Sequence, residues 1–388
     1  MSFELSQEIK AIQHAAREFA TGEVLPRVEE DERNHRFQED LVKKMGTLDF
    51  FGCPIPEEYG GNGVGFLAHA IVTEEIAKVS GSLRAAFNMQ TMGTAREILQ
   101  FGTKEQKKKY IEKFVSAQNL GCIGITEPHA GSDTGAISTV AEKKRDTYIL
   151  NGSKNWITYA QVADAGIIYA YTDPSVKYKG LSAFVVDMHS NGVSTGSTAE
   201  KMGWHACPTG ELFLSDVEVP AENLLGGEEG RGFAHLMGSL DNTRLTAAAG
   251  ALGASQALID EAVKYAKTRI QFGRPIGKYQ MVQEEIARMV VETEAARLMT
   301  YHCAMQKDRG FLHNTLETSM AKYYACDVAS RVADGALRIL GAYGYSAEYK
   351  VERIFRDAKL YQILEGSANI MKMVIGTDAL GYRKANRE

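Results

Sequence analysis

The chain reads as an α+β multidomain protein. Residues 1–117 form an N-terminal helical domain, 118–228 a central β-barrel-like domain, and 229–388 a C-terminal helical bundle. Two observations carry this reading. The hydrophobic period changes twice along the chain, and its 388 residues exceed the size at which one core stops growing. In the first segment Ile9, Ile12, Ala16 and Phe19, then Ala68, Ile71, Val72 and Ile76, recur at helical spacing. Pro54-Ile55-Pro56 and Gly60-Gly61-Asn62-Gly63 separate these runs. Short β-rich runs follow: Tyr148-Ile149-Leu150 ending on the turn dipeptide Asn151-Gly152, then Gly166-Ile167-Ile168-Tyr169, Phe184-Val185-Val186, and Leu212-Phe213-Leu214 leading to Val217-Glu218-Val219-Pro220. From Gly232 onward the helical period returns, with apolar faces over 247–266, 282–306 and 316–340 and with Gly310 and Gly341 as punctuation.

Composition narrows the function. A hydrophobic fraction of 44% and a charged fraction of 24% belong to a globular chain. A net charge of −5 gives no footprint for nucleic acid, and the basic runs Lys107-Lys108-Lys109 and Lys143-Lys144-Arg145 have acidic neighbours. Met1-Ser2-Phe3-Glu4 opens the chain without a basic or apolar leader, and no apolar run approaches the roughly 18 residues of a membrane span. A cytoplasmic location without membrane insertion is expected. The cysteines Cys53, Cys122, Cys207, Cys303 and Cys326 are scattered and odd in number, which argues for buried thiols over disulfides or a zinc site. No metal is expected.

Common catalytic motifs are missing. There is no GxxxxGK[ST] loop, no dinucleotide fingerprint, no HExxH and no GxSxG elbow. Four other stretches combine polar groups with glycine in apolar surroundings. In Ile363-Leu364-Glu365-Gly366-Ser367-Ala368-Asn369 one carboxylate follows two apolar residues. A carboxylate drawn out of water is a candidate base, because desolvation makes it hold a proton more tightly. A solvated Glu at a helix start, with Ser367 as its cap, is the plainer reading of the same residues. Thr126-Glu127-Pro128-His129-Ala130-Gly131-Ser132-Asp133 offers hydroxyls and backbone donors in a tight turn. Trp156-Ile157-Thr158 sets an indole beside a hydroxyl, which suits a flat heteroaromatic ligand or a core. Arg269-Ile270-Gln271-Phe272-Gly273-Arg274 ends a helix with two guanidiniums, an anion grip or a solvated terminus.

In this order, together with Asp241-Asn242-Thr243-Arg244, Gln280 and Gly341-Ala342-Tyr343-Gly344-Tyr345, these stretches resemble the acyl-CoA dehydrogenase family over essentially the whole chain. The resemblance implies a C-terminal four-helix bundle, non-covalent FAD, a homotetramer built as a dimer of dimers, and electron-transferring flavoprotein as partner. It implies that Glu365 removes the α-proton of an acyl-CoA thioester while hydride leaves the β-carbon for the flavin. Thr126, Trp156, Thr158, Ser132 and Ser367 would lie on the flavin side, with Arg269, Phe272, Gln280, Gly341 and Gly344 gripping FAD across a dimer. Ser132, Asp241 and Arg244 would lie on the CoA side, and Leu364 and Gly366 beside the reacting carbons. Some relatives carry the base at the position of Thr243, which cannot serve, so Glu365 stands alone. Ser367 replaces a commoner threonine, and Asn369 a commoner glutamine.

Substrate choice rests on Gly81-Ser82-Leu83-Arg84-Ala85-Ala86-Phe87-Asn88. Arg84 resembles the glutaryl-CoA dehydrogenase branch, in which it would pair with a distal carboxylate, a task suited to a planar guanidinium. A surface salt bridge is the alternative. Leu364 stands where decarboxylating members carry tyrosine, so release of a product with its carboxylate intact is expected. Small residues at Ala85, Ala86, Gly93 and Thr94 leave open an alicyclic acyl-CoA such as cyclohexanecarboxyl-CoA. An acyl-CoA oxidase and a non-catalytic acyl-CoA or flavin-binding module share the same motifs.

Overall fold

The computed structural model describes residues 5–386. Helices dominate both ends and enclose one curled sheet. Helix Gln7–Phe19 starts at Ser6, whose hydroxyl accepts from the Ile9 N–H, and it buries Ala16 and Phe19. Helix Phe66–Ala77 behaves differently, for all of its residues are buried. It packs against Gln7–Phe19 on one side and against helices Gly232–Thr268 and Gln280–Asp308 on the other. The first and last segments therefore share a core, and a stretch without a polar face reads as an interior helix.

Seven strands make the sheet: β1 Gly121–Gly124, β2 Val140–Lys144, β3 Thr147–Thr158, β4 Ala165–Tyr171, β5 Leu181–Asp187, β6 Val193–Thr198 and β7 Thr209–Pro220. Their order is β1-β4-β2-β3-β7-β6, with β5 also on β4. Strand β4 is buried throughout and serves three neighbours: β1 in parallel, β2 at Tyr171, and β5 antiparallel along its length. This branching curls the sheet.

The dipeptide Asn151-Gly152 is not a turn. Strand β3 runs through it to Thr158, with a register shift against β7 between Leu150 and Gly152. Gly152 adopts φ +151°, and a Cβ there would lie 2.4 Å from Thr139 Oγ1. The Asn151 side chain, meanwhile, donates to Asp216 Oδ1 and accepts from the Asp216 N–H. A bulge satisfies the same asparagine–glycine chemistry as a turn.

The bundle helices are Gly232–Thr268, Gln280–Asp308, Thr315–Leu340 and Lys350–Leu360, followed by Ala368–Ala379. The first starts well before residue 247. Its early turns carry Asp241, Asn242, Thr243 and Arg244, which are buried despite their polarity, so the apolar period hides them.

Candidate active site

The organising feature is the turn between helices Lys350–Leu360 and Ala368–Ala379. Glu365 at φ +55° and Gly366 at φ +90° both lie in the left-handed region, which is unfavourable for a residue bearing a Cβ and persists only where neighbours impose it. Two cations on the bundle helices do so. Arg244 Nε donates to the Glu365 carbonyl at 3.2 Å, and Lys322 Nζ to the Gly366 carbonyl at 2.6 Å. Both side chains are buried. Burial lowers the proton affinity of both from their usual ranges, with Asp241 opposing this at Arg244. Arg244 also faces Asp241 at 3.4 Å, whose other oxygen accepts from Thr315 at 2.6 Å. At the side chain itself, Asn88 Nδ2 donates to Glu365 Oε1 at 2.8 Å. Ser367 accepts from the Ile370 N–H as the cap of the next helix; its own proton stays available for donation.

The turn opens on a cavity of about 1440 Å³ between the sheet and the bundle. Arg84 borders this cavity and is 1% exposed. It makes no salt bridge among the described residues. Its Nε and Nη2 have no partner among the described residues, and the neighbouring Trp204 Nε1 and Tyr361 hydroxyl are likewise unpaired. Two aromatic faces hold the guanidinium, with Trp204 at 4.9 Å and Tyr361 at 5.2 Å from its carbon. Gly250 makes room for it, since a Cβ there would lie 2.5 Å from Arg84 Nε; Gly81 does the same for the Trp204 indole. A buried cation without a counter-charge is costly to maintain.

The sheet supplies the opposite wall. Glu127, in the turn after β1, accepts from Lys154 Nζ at 2.8 Å, from the backbone and hydroxyl of Ser138, and from those of Thr139. Asn155 N–H donates to the Thr126 carbonyl at 2.8 Å. These bonds dock the turn onto β3 and bring Thr126, Ser132, Trp156 and Thr158 to the cavity. A second register shift in β3, between Lys154 and Ile157, leaves Trp156 at φ +58° and 57% exposed beside that space.

Arg84, Thr126, Ser132, Trp156, Thr158, Asp241, Arg244, Leu364, Glu365, Gly366 and Ser367 thus line one cavity. Arg269, Phe272, Gln280, Gly341 and Gly344 do not. They gather at the far end of the bundle, where the Arg269 guanidinium lies 5.3 Å from the Tyr343 ring and Phe272, on a two-stranded hairpin, is 95% exposed. Thr243 is buried and hydrogen-bonded to the Leu240 carbonyl, away from any base role. Of the small residues that leave space for a ring, only Ala85 borders the cavity; a Cβ on Gly93 would meet Ile123 Cδ1 at 2.0 Å, and Thr94 bonds the Met89 carbonyl. Sequence reasoning assigned no role to Asn88, Trp204, Lys322 or Tyr361. Asn88 shares a helical face with Arg84 four residues earlier, a signal within reach, whereas Lys322 has no local mark at all.

The chain thus sets the Glu365 carboxylate on a strained turn, opens a wide cleft between sheet and bundle, and places the Arg84 guanidinium at the margin of that cleft. The chain belongs to the acyl-CoA dehydrogenase family: its residues 6–118, 122–217 and 230–380 match the N-terminal, middle and C-terminal domains of acyl-CoA dehydrogenase. Glutaryl-CoA dehydrogenase of Desulfococcus multivorans is 52% identical over 391 residues, covering 100% of both chains. A solved glutaryl-coenzyme A dehydrogenase in complex with glutaryl-CoA superimposes with a TM-score of 0.98 at 52% identity, over 100% of this chain and 99% of that one. Subunit CarC of the caffeyl-CoA reductase-Etf complex from Acetobacterium woodii is 40% identical over 371 residues, 95% of this chain and 97% of that one. As a member of this family the protein is an acyl-CoA dehydrogenase. No helix among the described residues is long and apolar enough to cross a membrane.

Proposed function

We propose that the protein oxidises the Cα–Cβ bond of a dicarboxylic acyl-CoA, glutaryl-CoA or a substituted succinyl-CoA, and releases the product with its distal carboxylate intact. The observation that carries this reading is Arg84, a buried guanidinium whose Nε and Nη2 have no partner among the described residues, held on two aromatic faces beside the cavity that Glu365 lines. A terminal carboxylate supplies the missing counter-charge and accepts two parallel N–H bonds. The similarity to a glutaryl-CoA dehydrogenase supports the same class.

Glu365 takes the α-proton. The Glu365 and Gly366 carbonyls are engaged by Arg244 and Lys322, which keeps the turn from relaxing while the carboxylate meets the substrate. The Glu365 N–H makes no backbone hydrogen bond among the described residues and would stabilise charge developing on the thioester oxygen. Thr126, Trp156, Thr158 and Ser367 suit FAD: an exposed indole and three hydroxyls stand around a cavity wide enough for a flat ring. FAD, when bound, supplies the acceptor for the hydride that leaves the β-carbon. Ser132 stands exposed at the rim, where CoA enters, while Asp241 and Arg244 act through the base turn. Leu364 offers no proton donor beside Glu365, which favours retention of the carboxylate. Electron-transferring flavoprotein is the proposed acceptor, as the name of the Acetobacterium woodii complex suggests.

Anaerobic flavin bleaching with glutaryl-CoA and butyryl-CoA tests the reading. Arg84→Ala is expected to lower kcat/KM for glutaryl-CoA by about 10²-fold or more, since a stranded buried charge costs roughly 3 to 5 kcal/mol. The butyryl-CoA value should change little. Equal losses for the two thioesters would make Arg84 structural and remove the dicarboxylic assignment.

A further inference from the structure

We infer that Asn88 is a positioning residue for the base, serving Glu365 as hydrogen-bond donor before proton transfer and as acceptor after it. This rests on the reading of Glu365 as the base. The amide nitrogen of Asn88 lies 2.8 Å from Glu365 Oε1, across 277 residues of sequence, in a side chain that is 3% exposed. Its Oδ1 is buried and has no partner. A buried, unpaired amide oxygen is unfavourable, and here it stands on the side chain that hydrogen-bonds the base carboxylate. The two ends of the amide match the two states of the base. A carboxylate only accepts, whereas a carboxylic acid also donates one O–H. When the α C–H bond breaks and its proton joins Glu365, rotation of the Asn88 amide about its terminal torsion exchanges nitrogen for oxygen, and Oδ1 accepts the new O–H.

The backbone explains how Asn88 reaches this place. Helix Gly81–Arg84 continues into a π-helical stretch, Phe87–Ala95, in which Asn88 is the second residue. Such widened turns alter which side chains share a face and recur at functional sites. Arg84 and Asn88 are four residues apart and both border the cavity. One helical segment therefore presents both the anion receptor and the partner of the base.

The test is Asn88→Leu, branched at the same carbon but unable to hydrogen-bond, alongside Asn88→Asp, which cannot donate when ionised. The rate of anaerobic flavin reduction is measured against pH with both glutaryl-CoA and butyryl-CoA. Asn88→Leu loses both bonds, but the bond to the carboxylate is charge-assisted and the stronger of the two, so the acidic limb of its profile should move to higher pH by about one unit. It should lower the maximal rate about tenfold or more, leaving KM within about twofold, with the same result for either thioester. Asn88→Asp should move the limb further in the same direction. An acidic limb that stays in place in both variants overturns the proposal, including the case in which rate, FAD content and thermal midpoint fall together. Should the parent be reduced by neither thioester, the proposed oxidation fails first. The infrared band of the Glu365 carboxyl, identified by its loss in Glu365→Gln, then decides: an unmoved titration midpoint in Asn88→Leu overturns the role of Asn88.

Discussion

Glu365→Gln keeps the size of the side chain and an oxygen to accept from Asn88, but it removes the group that takes the proton. Flavin reduction is therefore expected to fall at least about 10²-fold, the lower range of general-base contributions, while FAD and thioester still bind. Stopped-flow reduction by a saturating thioester measures it, and a rate above roughly one hundredth of the parent's would take the base role from Glu365. The surroundings of this residue resolve a tension in the sequence. A glutamate just ahead of a serine cap reads as a solvated helix start, and Ser367 does cap helix Ala368–Ala379. What makes the residue unusual is non-local: a left-handed backbone held by Arg244 and Lys322, and a hydrogen bond donated by the Asn88 amide.

Between elements, the decisive bond is the buried pair of Glu127 and Lys154, which docks the turn after β1 onto β3 and so positions Thr126, Trp156 and Thr158. Burial pushes the Glu127 carboxyl up, but Lys154 together with the Thr139 and Ser138 donors overcomes this and holds it at about 2. Lys154, lowered to about 8 by burial against the pull of Glu127, remains charged at neutral pH. Because the folded carboxyl titrates below its ordinary value of 4.5, its stabilisation is complete above that pH and disappears as pH falls towards 2. Glu127→Gln should flatten the fall in stability over this window, as followed by urea midpoints at stepped pH. Glu127→Ala at pH 7 should cost about 3 to 5 kcal/mol by stranding the ammonium. It should also loosen FAD, and a variant with parental FAD content would uncouple the turn from the cofactor.

At the scale of the whole molecule, the family's expected cofactor residues fall into two groups separated by the length of the bundle. Phe272 is 95% exposed, and Met281 and Tyr345 each 86%, around Arg269 and Gln280. Large apolar side chains gathered on a surface mark a partner interface. We propose that a second copy covers this face and that the group grips the partner's FAD, within a homotetramer. Arg269→Ala should then release FAD and lower the oligomeric mass together at micromolar dilution, as read by flavin absorbance and sedimentation. Full FAD retention at parental mass would sever the link.

The sequence by itself determined the succession of α, β and α segments, because side-chain periodicity is a local property that needs no knowledge of partners. It also marked Glu365 and the turn at 125–133, where short polar stretches interrupt apolar ones, while Arg84 was marked by its resemblance to a family branch. It misjudged Asn151-Gly152, since a bulge and a turn draw on the same residues, and its apolar face over 247–266 did not show that the polar side chains of the first turns of helix Gly232–Thr268 are buried. Tertiary structure alone decided whether Arg84 has a partner, because the answer depends on Trp204, Gly250 and Tyr361, brought together from three separate elements. It alone placed Lys322 beneath the turn and Asn88 against the base. A charge or an amide becomes functional through what does and does not surround it, and those surroundings are assembled across hundreds of residues of chain, beyond the reach of any local pattern.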